Sequence, residues 1–378
     1  MAFKRPLRVA MIAPIEPFRS GVAKHSTQVA LELNKRSNIE LSVYSFKRLY
    51  PALLFPGTDD KDSASTAPEA LNCQFTLDTI NPLSWGAVIS SIESKDIDLV
   101  IIPAWTFFVA PCLGYIAMQC QKRGVEVITI VHNAFDHEAG GIKNALMRYQ
   151  LTKSKKFLVH NQSLANEIKQ ELSDADVAIS PHPIFDQYPQ PSQILERRAQ
   201  LELLFFGIIR DYKGLDILIN AVAELTDIDF KLTIVGECWG SWDKYQKQIS
   251  VLNLTNKIET VVQYASDEDA ANYFTRADAV VLPYRSMTGT GVIPLAYHFS
   301  TPVICSNLPA FHEVVKDGNT GIIARGQGSI EIVEAIKKFQ KLRESTNFAK
   351  NTRDLTQIFT WQKFCDVLLA TWVNIEGK

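Results

Sequence analysis

Two stretches of this sequence combine residue types that can bind a phosphate. The first, F-F-G-I-I-R-D-Y-K-G-L-D-I-L (205–218), places Arg210 and Lys213 between an apolar run and an amphipathic stretch. The second, S-M-T-G-T-G-V-I-P-L-A-Y (286–297), follows another apolar run and alternates threonine with glycine. Cations and unhindered backbone N–H groups are donors that hold phosphate oxygens in proteins. The two stretches predict a site for a diphosphate.

Each stretch also has an ordinary explanation. A solvated R-x-x-K pair is common at the start of a helix, although the helix dipole opposes cations there, which favours a bound anion. In the second stretch, the predicted phosphate cradle is the backbone of Gly289, Thr290, Gly291 and Val292, with Thr288 beside it. Threonine suits this position because a neutral hydroxyl donates to a phosphate, whereas a carboxylate repels it unless it contacts the ribose.

Three further turns hold candidate ligand contacts. Gly21 precedes an amphipathic stretch, where a glycine lets a ligand approach the first N–H groups of a helix, but an ordinary turn glycine explains it equally well. His132 follows a buried run and could hydrogen-bond a sugar hydroxyl, whereas a histidine that only caps the turn is the more common case. Glu313 follows a later strand and is expected beside the same cleft.

The elements that must position these residues are short apolar runs separated by amphipathic stretches. Continuous apolar runs are typical of parallel strands covered by helices on both faces. Such sheets bind ligands at the carboxyl ends of their strands, where all of these turns lie. The runs predict strands at 7–14, 40–46, 97–104, 125–133 and 155–161, and then at 201–209, 230–237, 258–264, 277–284, 301–307 and 320–325.

A proline-rich interval separates the two series of runs. It predicts an α/β fold with two Rossmann-like domains facing each other across a cleft, although a single large sheet is an alternative. The predicted bounds are an N-terminal domain at 1–185, a linker at 186–200, a C-terminal domain at 201–358 and a final helical segment at 359–378.

Composition narrows the function classes. Apolar residues make up 46% of the chain, charged residues 21%, and the net charge is −2, which argues against a nucleic-acid partner. Six cysteines without a C-x-x-C pair argue against a zinc site or a disulfide framework, and are typical of a reducing compartment. No run of 18 apolar residues occurs. We therefore expect a cytoplasmic protein that uses neither a metal nor another cofactor.

The order of these pieces resembles family 4 of the retaining glycosyltransferases, which have the GT-B fold. The resemblance covers most of the chain, from G-V-A-K-H-S (21–26) through V-H-N (131–133), and is strongest in residues 203–322. It implies transfer of a hexosyl unit from a nucleotide-diphosphate sugar to a hydroxyl of a glycan or lipid-linked glycan. It also implies that Arg210 and Lys213 bind the diphosphate and that His132 orients the donor sugar. The final helix is then expected to pack back on the N-terminal domain.

One departure from the family pattern concerns two glutamates eight positions apart, the second of which usually holds the ribose. Their positions fall on Met287 or Thr288 and on Leu295 or Ala296, and none of these is a carboxylate. A branch of the family with an S-G-V-hydrophobic-P-L-A-Y turn lacks both glutamates, and T-G-V-I-P-L-A-Y resembles it. Two other functions stay open: an epimerase-like enzyme acting on sugar nucleotides, and a catalytically silent binding subunit.

A basic amphipathic stretch, K-N-A-L-M-R-Y-Q-L-T-K-S-K-K (143–156), could rest on an anionic membrane. Lys153, Lys155 and Lys156 are the predicted contacts, and a solvated helix face is the alternative. This interpretation places the protein at the inner face of the membrane.

Overall fold

The computed structural model describes residues 5–51, 59–62, 65–135, 141–287 and 289–373. The chain divides into two compact units, residues 1–181 with 361–378 and residues 182–360. Each unit contains one parallel sheet with helices packed on it, so the predicted α/β class with two Rossmann-like domains is confirmed. The division at residue 181 precedes the predicted one at 185, and the predicted linker is part of the second unit.

The first unit is built on a seven-stranded sheet in the order β3-β2-β1-β4-β5-β6-β7, with every neighbouring pair parallel. The edge strands β3 and β7 are only partly buried, so they lack the continuous apolar run from which strands were predicted, and the sequence analysis missed both. The strands are β1 (Leu7–Ile12), β2 (Ile39–Arg48), β3 (Cys73–Asp78), β4 (Leu99–Ala104), β5 (Glu126–Val131), β6 (Lys156–Val159) and β7 (Asp176–Ile179).

Five helices described in this unit connect its strands, and polar side chains cap several of them. The Ser20 hydroxyl accepts from the N–H of Ala23, and the Asn161 side chain accepts from the N–H of Leu164. Such caps satisfy N–H groups that have no partner within the helix. The helices are α1 (Gly21–Asn34), α2 (Pro82–Ser94), α3 (Ala110–Lys122), α4 (Gly141–Leu151) and α5 (Gln162–Glu171).

The second unit contains a six-stranded parallel sheet in the order β10-β9-β8-β11-β12-β13. Each of its strands lies within an apolar run that predicted it. The central strands are buried on both faces and form the core of the unit. The strands are β8 (Leu201–Phe206), β9 (Phe230–Val235), β10 (Ile258–Val261), β11 (Ala279–Leu282), β12 (Val303–Cys305) and β13 (Gly321–Ile323).

The structure describes seven helices in this unit, and a 3₁₀ turn at Asp211–Lys213 precedes the first of them. Because β8 and β11 are parallel neighbours, the segments that follow them begin at the same edge of the sheet. The helices are α6 (Leu215–Ala223), α7 (Asp243–Val251), α8 (Asp267–Arg276), α9 (Val292–His298), α10 (Pro309–Val314), α11 (Ser329–Leu342) and α12 (Phe348–Thr356).

Ion pairs fix the end of the predicted linker to the second unit. Arg197 contacts both carboxylate oxygens of Asp278, at 3.0 and 2.7 Å, just before β11 begins. Arg198 contacts Glu259 of β10 at 2.7 Å. This part of the proline-rich interval is therefore held against the sheet.

The last helix, α13 (Trp361–Val373), packs on α1 and on the sheet of the first unit. Lys156 is 6% exposed, and its Nζ donates to the carbonyl oxygens of Thr371 at 2.7 Å and Trp372 at 3.3 Å. Burial lowers the pKa of Lys156, while the partial negative charge at the end of the helix favours its ammonium form.

The predicted membrane contact of Lys156 is therefore wrong, because its ammonium is buried against the end of a helix. Lys155 is exposed and Lys153 lies over the ring of Tyr149 at 5.0 Å, so a role of these two at a membrane stays a prediction. Among the helices that the structure describes, none has the length and apolar character needed to cross a bilayer.

Replacing Lys156 tests how α13 is held. We expect Lys156→Met to destabilise the protein by about 1.5–3 kcal/mol, because charge-assisted hydrogen bonds are lost and two carbonyl groups lose their donor. Lys155→Met is the matched control, since that side chain is exposed. Thermal unfolding measures the difference, and equal unfolding temperatures for the two variants would show that the ammonium does not secure the helix.

Candidate functional site

The side chain of Lys213 is a buried cation at the carboxyl edge of the second sheet. It ends the 3₁₀ turn, is 8% exposed, and belongs to none of the ion pairs found among the described residues. Burial, and secondarily the charge of Arg210, lowers the pKa of Lys213 to about 8. A cation held this way lacks the counter-charge that normally accompanies burial, so the site favours an anion.

The surroundings of Lys213 bring the two predicted phosphate-binding stretches together. A Cβ atom placed on Gly207 would lie 3.2 Å from Lys213 Nζ and 3.7 Å from Cγ2 of Val292, the first residue of α9. The same Nζ lies 5.8 Å from the ring centroid of Tyr284. Gly207 has a φ of 98°, a conformation that favours glycine. The ammonium is therefore placed between the ends of β8 and β11.

Arg210 precedes the 3₁₀ turn in extended conformation and is partly exposed. Its guanidinium carbon lies 5.1 Å from the ring centroid of Tyr212, two residues further along. A planar cation in this position can donate in a bidentate manner to phosphate oxygens. Arg210 and Lys213 thus present two cations of different kinds, one at the surface and one buried.

The glycine turn of the second stretch differs in one respect from the predicted phosphate cradle. Thr290 Oγ1 accepts a hydrogen bond from the N–H of Val292 at 3.2 Å, so this N–H is already satisfied within the turn. Gly291 has the helical dihedrals φ −76° and ψ −7°, and a Cβ there would lie 3.2 Å from Cε2 of Phe185. Gly289 is exposed, and Thr288 lies outside the described residues.

The positions expected to carry the usual glutamates have different environments. Met287 is partly exposed, whereas Leu295 and Ala296 are buried in α9, at 4% and 0% exposure. The second position is therefore part of the apolar core, and a charged side chain there would be costly. A carboxylate contact to a ribose, of the kind the family pattern implies, is therefore not available at this position.

Two glycines that the sequence analysis did not single out close the base of the site. Gly214 has a φ of 66°, and a Cβ on it would lie 2.1 Å from the carbonyl oxygen of Pro283. Gly236 follows β9, and a Cβ on it would lie 2.1 Å from the carbonyl oxygen of Gly207. These contacts leave no room for a side chain, so the loop after β8 packs directly on its neighbours.

The first unit holds a cluster of three histidines. His132 follows β5 and His160 follows β6, and their Nδ1 and Nε2 atoms are 3.3 Å apart. The ring of His25, from α1, is fully buried and lies 4.7 Å from the ring of His132 and 5.1 Å from that of His160. The rings of Trp361 and Phe364 from α13 lie 5.1 and 5.0 Å from His25.

Only His132 of this cluster was predicted as a site residue. The available signal for His160 was the repeated tripeptide V-H-N, at 131–133 and again at 159–161, which ends two neighbouring parallel strands. His25 had no such signal, because a histidine within a helix is ordinary.

The remaining predicted residues lie at helix ends. Gly21 is the exposed first residue of α1, and a Cβ there would meet no atom within 4 Å, so packing does not require a glycine. Glu313 is an exposed residue of the short helix α10.

Comparison with known proteins relates the second unit to a family of transferases. Residues 187–355 match the family described as Glycosyl transferases group 1. An uncharacterized glycosyltransferase of Methanocaldococcus jannaschii is 26% identical over 282 residues, which are 72% of this chain and 74% of that protein. A GDP-mannose:glycolipid 4-beta-D-mannosyltransferase of Xanthomonas campestris is 24% identical over 196 residues, or 51% of this chain and 53% of that protein.

The fold of the whole chain is also similar to that of solved GT-B glycosyltransferases. The Anabaena protein HepE in complex with UDP and glucose matches with a TM-score of 0.71, over 98% of this chain and 100% of that one, at 14% identity. Residues 187–355 are thus similar to group 1 glycosyl transferases, and the fold of the chain is of the GT-B type.

The close contact of Gly214 can be tested against a glycine of similar conformation. Gly318 has a φ of 74°, and a Cβ on it would meet no atom within 4 Å, so Gly318→Ala should cost only the left-handed conformation, about 1–2 kcal/mol. Gly214→Ala meets the Pro283 carbonyl as well, and we expect a clearly larger loss of stability. Thermal unfolding of both variants decides, and equal losses would contradict the packing argument.

Proposed function

We propose that the protein is a retaining glycosyltransferase that moves a hexosyl unit from a nucleotide-diphosphate sugar to a hydroxyl of a glycan or lipid-linked glycan. The observation that supports this most directly is Lys213, a buried cation outside the described ion pairs, whose ammonium lies beside Gly207 and the ring of Tyr284. A diphosphate supplies the missing negative charge. The match to group 1 glycosyl transferases supports the same reaction class.

In this reaction the bond between the anomeric carbon and the diphosphate oxygen breaks, and the acceptor oxygen bonds to the same carbon on the same face. The nucleoside diphosphate leaves with the bonding electrons, and its phosphate takes the acceptor proton. Negative charge therefore develops on the diphosphate, next to Lys213 and Arg210. Cations placed there before the reaction stabilise the transition state, so the proposal requires no metal.

The donor and acceptor classes in the proposal rest on relatives. The Xanthomonas relative is named for GDP-mannose and a glycolipid, and the structural neighbour from Anabaena is bound to UDP and glucose. A nucleotide sugar as donor and a glycan or glycolipid as acceptor suit both. His132, at the end of β5, keeps its predicted part in binding the donor sugar.

The experiment that tests the function has two steps. Activated sugars with UDP, GDP or another nucleotide are first screened for a rise in unfolding temperature, since a ligand that binds only the native state stabilises it. Release of nucleoside diphosphate is then measured with and without glycan and glycolipid acceptors, in the presence of a chelator.

We expect release that depends on an acceptor and continues in the chelator. Turnover of the sugar nucleotide without any acceptor would indicate an epimerase-like enzyme instead. Binding without turnover would indicate a silent binding subunit, and loss of activity that Mg²⁺ or Mn²⁺ restores would contradict the metal-free mechanism.

The lowered pKa of Lys213 predicts how binding depends on pH. Below about pH 8 the ammonium is charged in the free protein, so affinity for UDP or GDP should be constant between pH 7 and 7.5. Above pH 8 the free protein loses this charge, and the dissociation constant should rise toward about tenfold per pH unit.

Lys213→Met should weaken binding at pH 7 by roughly tenfold to a hundredfold and remove the dependence on pH above 8. Calorimetry measures both effects. A wild-type profile that is flat to pH 9.5, or a variant that keeps the wild-type profile, would place the diphosphate elsewhere.

A further inference from the structure

One residue holds the segment that carries the two cations of the proposed phosphate site. We call residues 210–214 the cation loop. Arg285 follows β11 by three residues, and its backbone N–H donates to the carbonyl of Tyr212 at 2.7 Å. Its Nη1 donates to the carbonyl of Asp211 at 2.7 Å, and its guanidinium contacts both oxygens of Asp216, at 2.9 and 2.5 Å. Arg285 thus contacts the loop and the first turn of α6 together.

The cation loop needs such a fastening for electrostatic reasons. Arg210 and Lys213 repel each other, and burial disfavours the charge of Lys213. Movement of the loop toward water therefore lowers its electrostatic free energy when no ligand is bound. The side chain of Asp211 is held by Lys244 of α7, and the N–H groups of Lys213 and Gly214 donate to the carbonyls of Arg210 and Asp211, but these backbone bonds lie within the loop and do not tie it to the end of β11. Arg285 makes this tie: its side chain donates to the carbonyl of Asp211 and its backbone N–H to that of Tyr212, and only the first of these bonds depends on the side chain.

The pair of Arg285 and Asp216 is charged throughout the ordinary pH range. Burial acts to raise the pKa of Asp216, but the hydrogen bonds and charge of Arg285 outweigh it and lower that pKa. The hydrogen bond to Asp216 is the main cause that raises the pKa of Arg285. Each partner is roughly two-fifths exposed, so the pair is worth little as a source of stability and more as a geometric constraint.

We propose that Arg285 is a positioning residue for diphosphate binding, which holds the cation loop so that Lys213 stays between the ends of β8 and β11 before the ligand arrives. This inference rests on the proposed function, because it concerns the same diphosphate site. A loop ordered in advance loses less conformational freedom on binding, and the ligand therefore binds more tightly. Nothing in the role requires Arg285 to touch the ligand.

The matched control is Arg197, which pairs with both oxygens of Asp278 at the opposite end of β11. Arg197→Gln removes a bidentate ion pair of similar geometry from the same unit but far along the strand from the cation loop. The test variants are Arg285→Gln, Arg285→Lys and Asp216→Asn. Asp216→Asn leaves the bonds of Arg285 to the cation loop in place, so it keeps the test available where Arg285→Gln folds poorly.

Two measurements are made on the full chain. Calorimetry with UDP and with GDP between pH 7 and 9.5 gives the affinity at each pH, and with it the pH at which the affinity begins to fall. The rate of Lys213 acetylation by acetic anhydride as a function of pH, followed by peptide mass spectrometry, gives the pKa and access of the amine without any nucleotide. The second measurement tests the position of Lys213 even where no nucleotide binds.

In Arg285→Gln we expect about tenfold weaker nucleotide binding at pH 7, and no fall in affinity between pH 8 and 9. Lys213 should titrate closer to the ordinary lysine pKa, and its limiting acetylation rate at high pH, where the amine is neutral, should rise because the amine is more accessible. Arg285→Lys and Asp216→Asn should lie between Arg285→Gln and the wild type, and Arg197→Gln should match the wild type.

The two possible failures are separable. A wild-type protein that binds no nucleotide at any pH, yet shows the shift of Lys213 in Arg285→Gln, overturns the proposed function and leaves the positioning role standing. Wild-type affinity and an unchanged Lys213 titration in Arg285→Gln overturn the positioning role. An equal loss of affinity in Arg197→Gln does the same, because the effect would then follow general destabilisation.

Discussion

The parallel pairing of β8 with β11 is the contact on which the proposed phosphate site depends. Leu203 lies opposite Ala279 and Leu204 opposite Val280, so both strands end at one edge of the sheet. Two segments that are about 75 residues apart in the chain therefore start side by side. The cation loop and the glycine turn are neighbours because of this pairing.

A buried lysine without an ion pair among the described residues is costly, and the surroundings of Lys213 reduce that cost only in part. The face of the Tyr284 ring lies 5.8 Å from its Nζ, a distance at which an aromatic quadrupole attracts a cation. The backbone of Gly214 lies directly against the carbonyl of Pro283, which brings the loop close to the end of β11. The charge of Lys213 that stays uncompensated favours anion binding, because an anion is attracted to the ammonium and also compensates the cost of its burial.

The absence of a carboxylate at the position expected to hold the ribose is a structural matter as well as a chemical one. Leu295 and Ala296 contribute to the core beneath the glycine turn, so α9 is anchored there by apolar packing. In the first unit, the hydrogen bond between His160 and His132 gives the predicted sugar-binding histidine a fixed neighbour. A hydrogen-bond partner of this kind orients an imidazole ring and selects its tautomer.

The sequence by itself determined the fold class, and it also predicted the two cations of the proposed phosphate site. Fully buried parallel strands require uninterrupted apolar runs, and the R-x-x-K-G spacing places two cations in one turn. Both features can be recognised from residues that are close together in the sequence. Strands β3 and β7 were missed because partly buried edges need no such run. Only the tertiary structure decided which polar residues are buried and what they contact. Lys156 and Lys155 are adjacent and identical in sequence, yet one holds a helix end and the other is exposed. The contacts of His160 and Arg285 depend on partners that strand pairing brings close. The sequence alone does not show whether a charged side chain is surrounded by water or by protein.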